Sequence, residues 1–433
     1  MFNMVGYDIL FVGAGPSALA AVLRLNELGY KGNICILEKG KSLETRSKNE
    51  VISGVAGAGC YSDSKLSSAL DVGGIIPYLD QEKLDEYCSM ILRYFNYFSP
   101  KKINLVWDKT TEYPIPEEVD LKWNTHNTCH VGTENGQAIY YEIEKHIKSM
   151  PNIELITETE VIGVEKYDDL FHVTANNGIT YVTKNLVLAT GQKDLLPSKL
   201  ISQFNLPSKP RAFQLGIRVE DIINDKYKDI IKANYDFKFV QTYKYDTGVS
   251  VRVRTFCCNS GNAHVCAENA KEGYVCFNGH AYKTPNPDNN TVNYGIMCEI
   301  EGLEEFKNKE DQISLMKKIN AIPEWEKDNL SVNEDGRKGR KLLDGFEVLL
   351  KAYPQEVILS LYYFVAELHR LIGLDNAYYY YPEVKLNGPM PEADPFTFET
   401  TYPGLYMLGD CLLSRGIVKS MITGFRFAEN FKK

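Results

Sequence analysis

The chain has 433 residues, with 48 basic and 57 acidic side chains and a formal charge of −9. That length exceeds what one hydrophobic core organises, so two interleaved domains are expected, with room for a third, helical one. The acidic balance, without a Lys/Arg-rich block to track a phosphate backbone, argues against nucleic acid as a partner, and no segment reaches the roughly 20 apolar residues of a spanning helix.

The first forty residues carry the first motif. The start, "MFNMVGYDILFVGAGPSALAAVL", lacks the basic region of a signal peptide, and glycines and a proline interrupt its apolar run. Residues 7–12 read as a strand, Gly13-Ala14-Gly15 as a tight turn, and Pro16 onward as a helix, with Ser17 and Ala18 in its first turn. A second short strand, 34–37, ends in Glu38. This is a βαβ dinucleotide fingerprint. Gly13 permits the turn, Gly15 admits a pyrophosphate to the backbone, Ala18 lets helix and strand approach, and the helix N-terminus offers its N–H groups to the phosphates. Glu38 would bond a ribose hydroxyl, and an acid there argues against a 2′-phosphate. The bland alternative is an ordinary strand, turn and helix.

A glycine-rich stretch follows, with Gly54, Gly57 and Gly59 and a later pair, Gly73 and Gly74. Small residues let a backbone pass against a flat ring system, and Asp63 and Lys65 could bond a cofactor or substrate there. A surface loop with an ordinary salt bridge is the competing reading. Farther on, "YVTKNLVLAT" (181–190) is a strand running into Gly191, and "GLYMLGD" (404–410) is a strand ending in Gly409-Asp410, before a helix from Ile417. A nucleotide bound only as a transient substrate needs neither. A buried flavin does, because its ribityl chain wants a fixed carboxylate and its pyrimidine end gains from a helix N-terminus. Asp410 and the Arg415-Gly416-Ile417 turn suit those roles.

With these motifs in order, the chain resembles the FAD-dependent dehydrogenases of the glutathione-reductase-like superfamily. Within it, the resemblance is to a group described only as FAD-dependent dehydrogenases or oxidoreductases. It runs through "GVAGAGCYSDSKLSS" (54–68), "HVGTEN" (130–135), "LGIRVE" (215–220), "VRTFC" (253–257), "NGHAY" (278–282), "YPEVK" (381–385), "GLYMLGD" and "SRGIV" (414–418). Ser64 stands where that group usually has glycine, Cys411 follows Gly-Asp where glycine is usual, and the segment after Cys257 differs as well. The resemblance implies an α/β fold: a Rossmann-like FAD domain in three layers around a parallel sheet, with an inserted α+β substrate domain containing an antiparallel sheet. Its expected pieces are 1–75, 128–205 and 392–433 for FAD, 76–127 as a helical or loop insertion, and 206–391 as the substrate domain. Expected FAD contacts are Gly13, Ala14, Gly15, Pro16, Ser17, Ala18, Glu38, Lys39, Gly57, Ala58, Gly59, Asp63, Lys65, Val161, Thr190, Gly191, Gly409, Asp410, Arg415, Gly416 and Ile417; no metal is expected.

The middle of the chain supports an antiparallel sheet over 236–300, from segments such as "TGVSVRVRTF" and "EGYVCFNGHAY". Helices are expected over 306–372, with "QEVILSLYYFVAELHRLI" the clearest amphipathic one. For catalysis His280 is the first candidate proton carrier, since histidine titrates near neutrality, with Tyr282 beside it. Arg218 and Arg254 are candidates to clamp a carboxylate or polarise a carbonyl. Structural roles for all four are the competing reading.

The expected activity is hydride or electron transfer between FAD and a small organic substrate, with NAD(P)H or another redox partner docking only transiently, since no second glycine fingerprint separates Gly191 from Gly404. Two alternatives stand beside it: an FAD-dependent monooxygenase, and a cofactor-less binding protein on the same fold, as in the Rab GDP-dissociation inhibitors. Ten cysteines without a framework of spacings fit reduced thiols and a cytoplasmic protein. "RTFCCNSGNAH" (254–264) admits three readings: a metal site with His264 and Cys266, a redox dithiol, or a strand end and turn in the substrate sheet with Arg254 and Cys257 facing the pocket. The last is favoured.

Overall fold

A computed structural model describes residues 4–47, 50–51, 53–192, 194–270, 272–302, 306, 308–334, 336–412 and 414–431. Two compact units form: Met1–Val106, Thr133–Pro210 and Pro389–Lys433 make the first, Trp107–Gly132 and Arg211–Gly388 the second. Residues 76–106, expected in a separate insertion, lie in the first unit. The helix Gln81–Tyr97 anchors them there, with the rings of Tyr87 and Tyr94 stacked on Phe425.

In the first unit, β1 (Met4–Val12) leads through α1 (Pro16–Glu27) to β2 (Ile34–Leu37). With β3 (Ile153–Ile156), β4 (Val161–Tyr167), β5 (Leu170–Ala175) and β6 (Thr180–Leu188), they build a sheet of order β3-β2-β1-β6-β5-β4. The first four strands in that order run parallel, and the short strand Leu405–Met407 adds parallel to β6. β5 is antiparallel to both its neighbours. The pattern follows burial. Ile9, Leu10 and Phe11 are wholly buried, as a parallel strand covered on both faces requires, whereas β5 alternates buried and half-buried residues. Asp168 and Asp169 take positive φ at the β4–β5 turn, where aspartate tolerates the left-handed region. The C-terminal helix Gly416–Asn430 packs so closely on α1 that a Cβ on Gly424 would stand 2.1 Å from the Ser17 carbonyl oxygen.

The second unit is an antiparallel sheet, of strands β7 (Phe213–Ile222), β8 (Lys238–Lys244), β9 (Ser250–Ala270), β10 (Tyr274–Tyr282), β11 (Thr291–Glu301) and β12 (Tyr378–Lys385). Its order is β12-β7-β11-β9-β8, with β10 paired to the far half of β9. The helix Gln355–Ile372 matches the expected amphipathic segment, and Val357, Leu361, Phe364 and Leu368 make its fully buried stripe. The run of four tyrosines is buried in β12. Among the described residues no helix is long and apolar enough to cross a membrane.

Candidate cofactor site

The first unit gathers its small residues at the C-terminal end of β1. Gly13 has φ +99°, and a Cβ there would stand 2.5 Å from the Ala189 carbonyl oxygen. Side chains are excluded both by sterics and by the backbone angle. Gly15 caps α1 in extended conformation and Pro16 follows at the first helical position; no side chain caps the helix and no acid occupies its first turn. Its N–H groups are left for an anion.

Glu38 is 5% exposed, and its carboxylate accepts from three backbone amides: Ala14 at 2.8 Å, Gly40 at 2.8 Å and Gly54 at 3.0 Å. The acid expected to bond a ribose thus also ties the fingerprint turn to the glycine-rich loop. A carboxylate has about four lone-pair sites, so one stays open. Lys39 pairs with Asp194 at 2.6 Å. Val161 is half-buried at the start of β4, two residues after Thr159, whose amide donates to the Glu38 carbonyl.

The glycine-rich loop is organised by a residue the motifs do not announce. The Arg46 guanidinium, 6% exposed, donates to the carbonyls of Glu50, Val51, Val55 and Gly57 and lies 4.2 Å from the Tyr61 ring centroid. Burial holds its pKa below the ordinary arginine value. It lies in a polar run, with no spacing signal to reveal it. The loop then meets the other motifs: a Cβ on Gly57 would lie 3.5 Å from the Pro16 ring, and one on Gly59 2.9 Å from the Ile417 side chain. Ala58 opens the short 3₁₀ turn between them. Asp63 and Lys65 form a buried pair, Nζ to Oδ2 3.5 Å.

The C-terminal motif reaches the same place. The Leu408 amide donates to Leu188, and a Cβ on Gly409, φ +67°, would lie 2.8 Å from the Ser17 hydroxyl. Asp410 Oδ1 is buried and receives no hydrogen bond; the Arg415 Nε stands 3.4 Å away. The Arg415 amide donates to Gly73, and the helix beginning at Gly416 has no side-chain cap. Thr190 Oγ1 is likewise buried without a hydrogen bond, and beside it Gly191, φ +75°, borders open space. The Gly13–Ala18 turn, the Gly57–Gly59 loop, Gly409 and Ile417 are therefore joined by direct approach, and Glu38 ties Ala14 to Gly54 just before that loop.

The residues expected in catalysis lie in the second unit. Arg218 is wholly buried, donating to Asn293 Oδ1 and the Cys257 carbonyl, so it is no clamp presented to a substrate. Arg254, half-buried, donates to Glu299 Oε2 at 2.5 Å and Gln214 Oε1 at 3.1 Å. His280 is buried with its ring stacked on His264, 5.3 Å between centroids, and Tyr282 stacks on the same His264 at 5.6 Å. The segment 254–264 is not a strand end: it lies inside β9, which bulges where the pairing slips between Phe256 and Asn259. Among the described residues no group of three or more metal-type ligands gathers.

These features gather the small residues of a βαβ unit around the C-terminal end of its first strand. No family model matches the chain. Over 65 residues, 15% of this chain and 19% of the relative, it is 35% identical to the ferredoxin–NADP reductase of Leuconostoc mesenteroides subsp. mesenteroides, so it spans about a fifth of that relative's length. Among solved structures, glycine oxidase from Geobacillus kaustophilus aligns with 99% of this chain and 96% of its own, at 13% identity and TM-score 0.45. A geranylgeranyl bacteriochlorophyll reductase-like protein from Thermoplasma acidophilum aligns with 99% and 78%, at 13% identity and TM-score 0.43.

Proposed function

We propose that the chain is an FAD-dependent oxidoreductase of the glutathione-reductase-like superfamily, working in the cytoplasm on a small organic substrate. One observation carries this: two uncapped helix starts, at Pro16 and Gly416, are both met by the glycine-rich loop, through Gly57 against the Pro16 ring and Gly59 against Ile417, and Asp410 Oδ1 on the approach to the second helix accepts no hydrogen bond. A single nucleotide phosphate would need only the first helix. The second helix and a carboxylate with one buried oxygen suit a longer, flavin-bearing dinucleotide.

The residues fit that group. The amides of Ser17 and Ala18 would hold the pyrophosphate, Glu38 a ribose hydroxyl, Asp410 the ribityl chain, and the start of the Gly416 helix the pyrimidine edge. Bound FAD would supply the hydride or electron chemistry. The chain's own work is then to orient the cofactor, keep water out of the glycine-lined cradle and tune charge at the helix N-terminus. His280 and Tyr282 are the proposed proton carriers and Arg254 the proposed polar anchor, with NAD(P)H or another redox partner docking transiently.

Purified protein is expected to be yellow and to release FAD on denaturation. Protein that shows no flavin absorbance and takes up no added FAD would sink this reading in favour of a cofactor-less binding protein. If flavin is present, anaerobic addition of NADH or NADPH separates a reductase from a dehydrogenase that passes electrons elsewhere.

A further inference from the structure

Two loop tips of the first unit, far apart in the chain, are fastened together with their aromatic rings in water. Tyr78 and Phe396 stack with 5.5 Å between ring centroids and 14° between planes, yet they are 75% and 44% exposed, and Ile75 in the first tip is 69% exposed. One buried side chain does the fastening. Arg426, 3% exposed on the C-terminal helix, donates through Nη1 to the carbonyls of Pro77 at 2.5 Å and Pro395 at 3.2 Å, and through Nη2 to the carbonyl of Tyr78 at 3.3 Å. Its guanidinium also lies 5.7 Å from the Phe396 ring centroid. The stack covers one face of Tyr78 and leaves the other to solvent. Rings held rigid at the surface contribute little to folding and are pre-organised for contact with a second molecule.

The charge around the tips selects that molecule. Asp80, Glu82, Asp85, Glu392 and Asp394 are exposed in the two segments, whereas Lys83, the exposed base among 78–86 and 392–396, is paired with Glu86. Hydrogen bonds from the Thr397 and Phe396 amides hold the Asp394 carboxyl below the ordinary aspartate range, so it stays charged near neutrality. A second copy of this chain would set acid against acid here, and an anionic lipid surface would be repelled in the same way. A cation is favoured twice, by the carboxylates and by the face of the tyrosine ring.

We propose that the Tyr78–Phe396 tip is a docking surface for a basic protein segment, with an arginine or lysine of the partner on the open face of Tyr78. Neighbouring basic side chains of the partner face the surrounding carboxylates, and an apolar one packs on Ile75. An apolar centre within a charged rim is the usual anatomy of a protein interface, and tyrosine and arginine are its commonest anchors. The surface belongs wholly to the first unit, and binding there needs no cofactor.

The test is fluorescence anisotropy of the full chain with a labelled peptide of alternating arginine and leucine residues. Saturable binding that weakens as salt rises is expected. Tyr78→Ser should weaken it roughly tenfold and Tyr78→Phe should leave it near the parent, because the ring face is kept. Glu392→Gln should weaken it about two- to threefold, whereas Asp246→Asn, which removes an exposed acid of the second unit, should leave it unchanged. Ile75→Ser, expected to weaken it several-fold, decides in its place if Tyr78→Ser fails to fold. No binding, equal affinity in Tyr78→Ser and parent, or equal losses from Glu392→Gln and Asp246→Asn overturns the proposal, the last by tracing the attraction to the net charge of −9. A dimer in sedimentation, or binding to phosphatidylserine vesicles, that Tyr78→Ser abolishes would overturn it as well, by giving the surface to a second copy or to a membrane.

Discussion

The Cβ that Gly136 lacks would stand 1.8 Å from the Ser64 hydroxyl oxygen, with Ser64 itself held at φ +50° and 0% exposed. The loop and the helix Thr133–Lys148 therefore meet where neither can give way. Gly136→Ala is expected to destabilise the protein by about 2–4 kcal/mol through overpacking. Ser64→Gly should recover much of that loss in the double variant, because glycine takes the left-handed conformation freely. Urea unfolding of both single variants and the double variant measures the coupling; additive effects would show that the two residues do not press on each other.

The Arg46 cation holds four carbonyls of the glycine-rich loop. Arg46→Met keeps the bulk and removes the donors, leaving buried oxygens unpaired at a cost of about 3–5 kcal/mol. Arg46→Lys should be nearly as damaging, since an ammonium cannot reproduce the planar fork. Faster proteolysis within residues 46–61 in either variant, read by mass spectrometry, is the expected sign. A cleavage pattern identical to the parent would show that the loop is held by other contacts.

These two cases mark what could be read from the chain alone. The strand, Gly13-Ala14-Gly15 turn and helix at the start of the chain are legible because glycine is needed where the backbone turns at positive φ and a proline opens the helix. The parallel pairing of β1 with β2 follows from the same unit. Arg46 was not legible, since a buried arginine that binds only carbonyls leaves no spacing behind. The place of residues 76–106 was hidden for a related reason: stacking of Tyr87 and Tyr94 on Phe425 joins segments more than 300 positions apart. The interior position of 254–264 is not legible because a glycine and two asparagines imitate a turn, whereas Asn259 uses its side chain to support a bulge.

Asp410 offers the sharpest test of the cradle. Its Oδ1 is buried and accepts no hydrogen bond, with the Arg415 guanidinium 3.4 Å away, so a ligand donor would complete its partners. On the proposed function, Asp410→Ala should weaken FAD binding roughly ten- to a hundredfold while leaving the apoprotein as stable as the parent, or more so. Flavin content after gel filtration and apoprotein melting temperature report the two halves separately. Equal flavin retention in parent and variant would remove Asp410 from the cofactor site.

A pH-dependent element of the second unit is equally specific. Asp221 lies at the end of β7, 2% exposed, with its Oδ1 accepting from the Ile222 amide and its Oδ2 from the Tyr227 hydroxyl, which in turn meets Tyr294 at 3.0 Å. Burial outweighs those hydrogen bonds and pushes its carboxyl up to about 6. The folded state therefore binds the proton more tightly than the unfolded state, whose aspartates titrate near 3.9. Between these values the native protein carries more protons, so its stability falls as pH rises from about 4 to 6 and stays lower above. The loss assigned to this one group is about 2–3 kcal/mol. Asp221→Asn keeps the Ile222 contact, can donate to Tyr227, and has nothing to ionise, so it should abolish that part of the slope and make the protein more stable than the parent at pH 7. Denaturant unfolding of both proteins across pH 4–7 reads the difference, and parallel curves would place the titration of Asp221 outside this window.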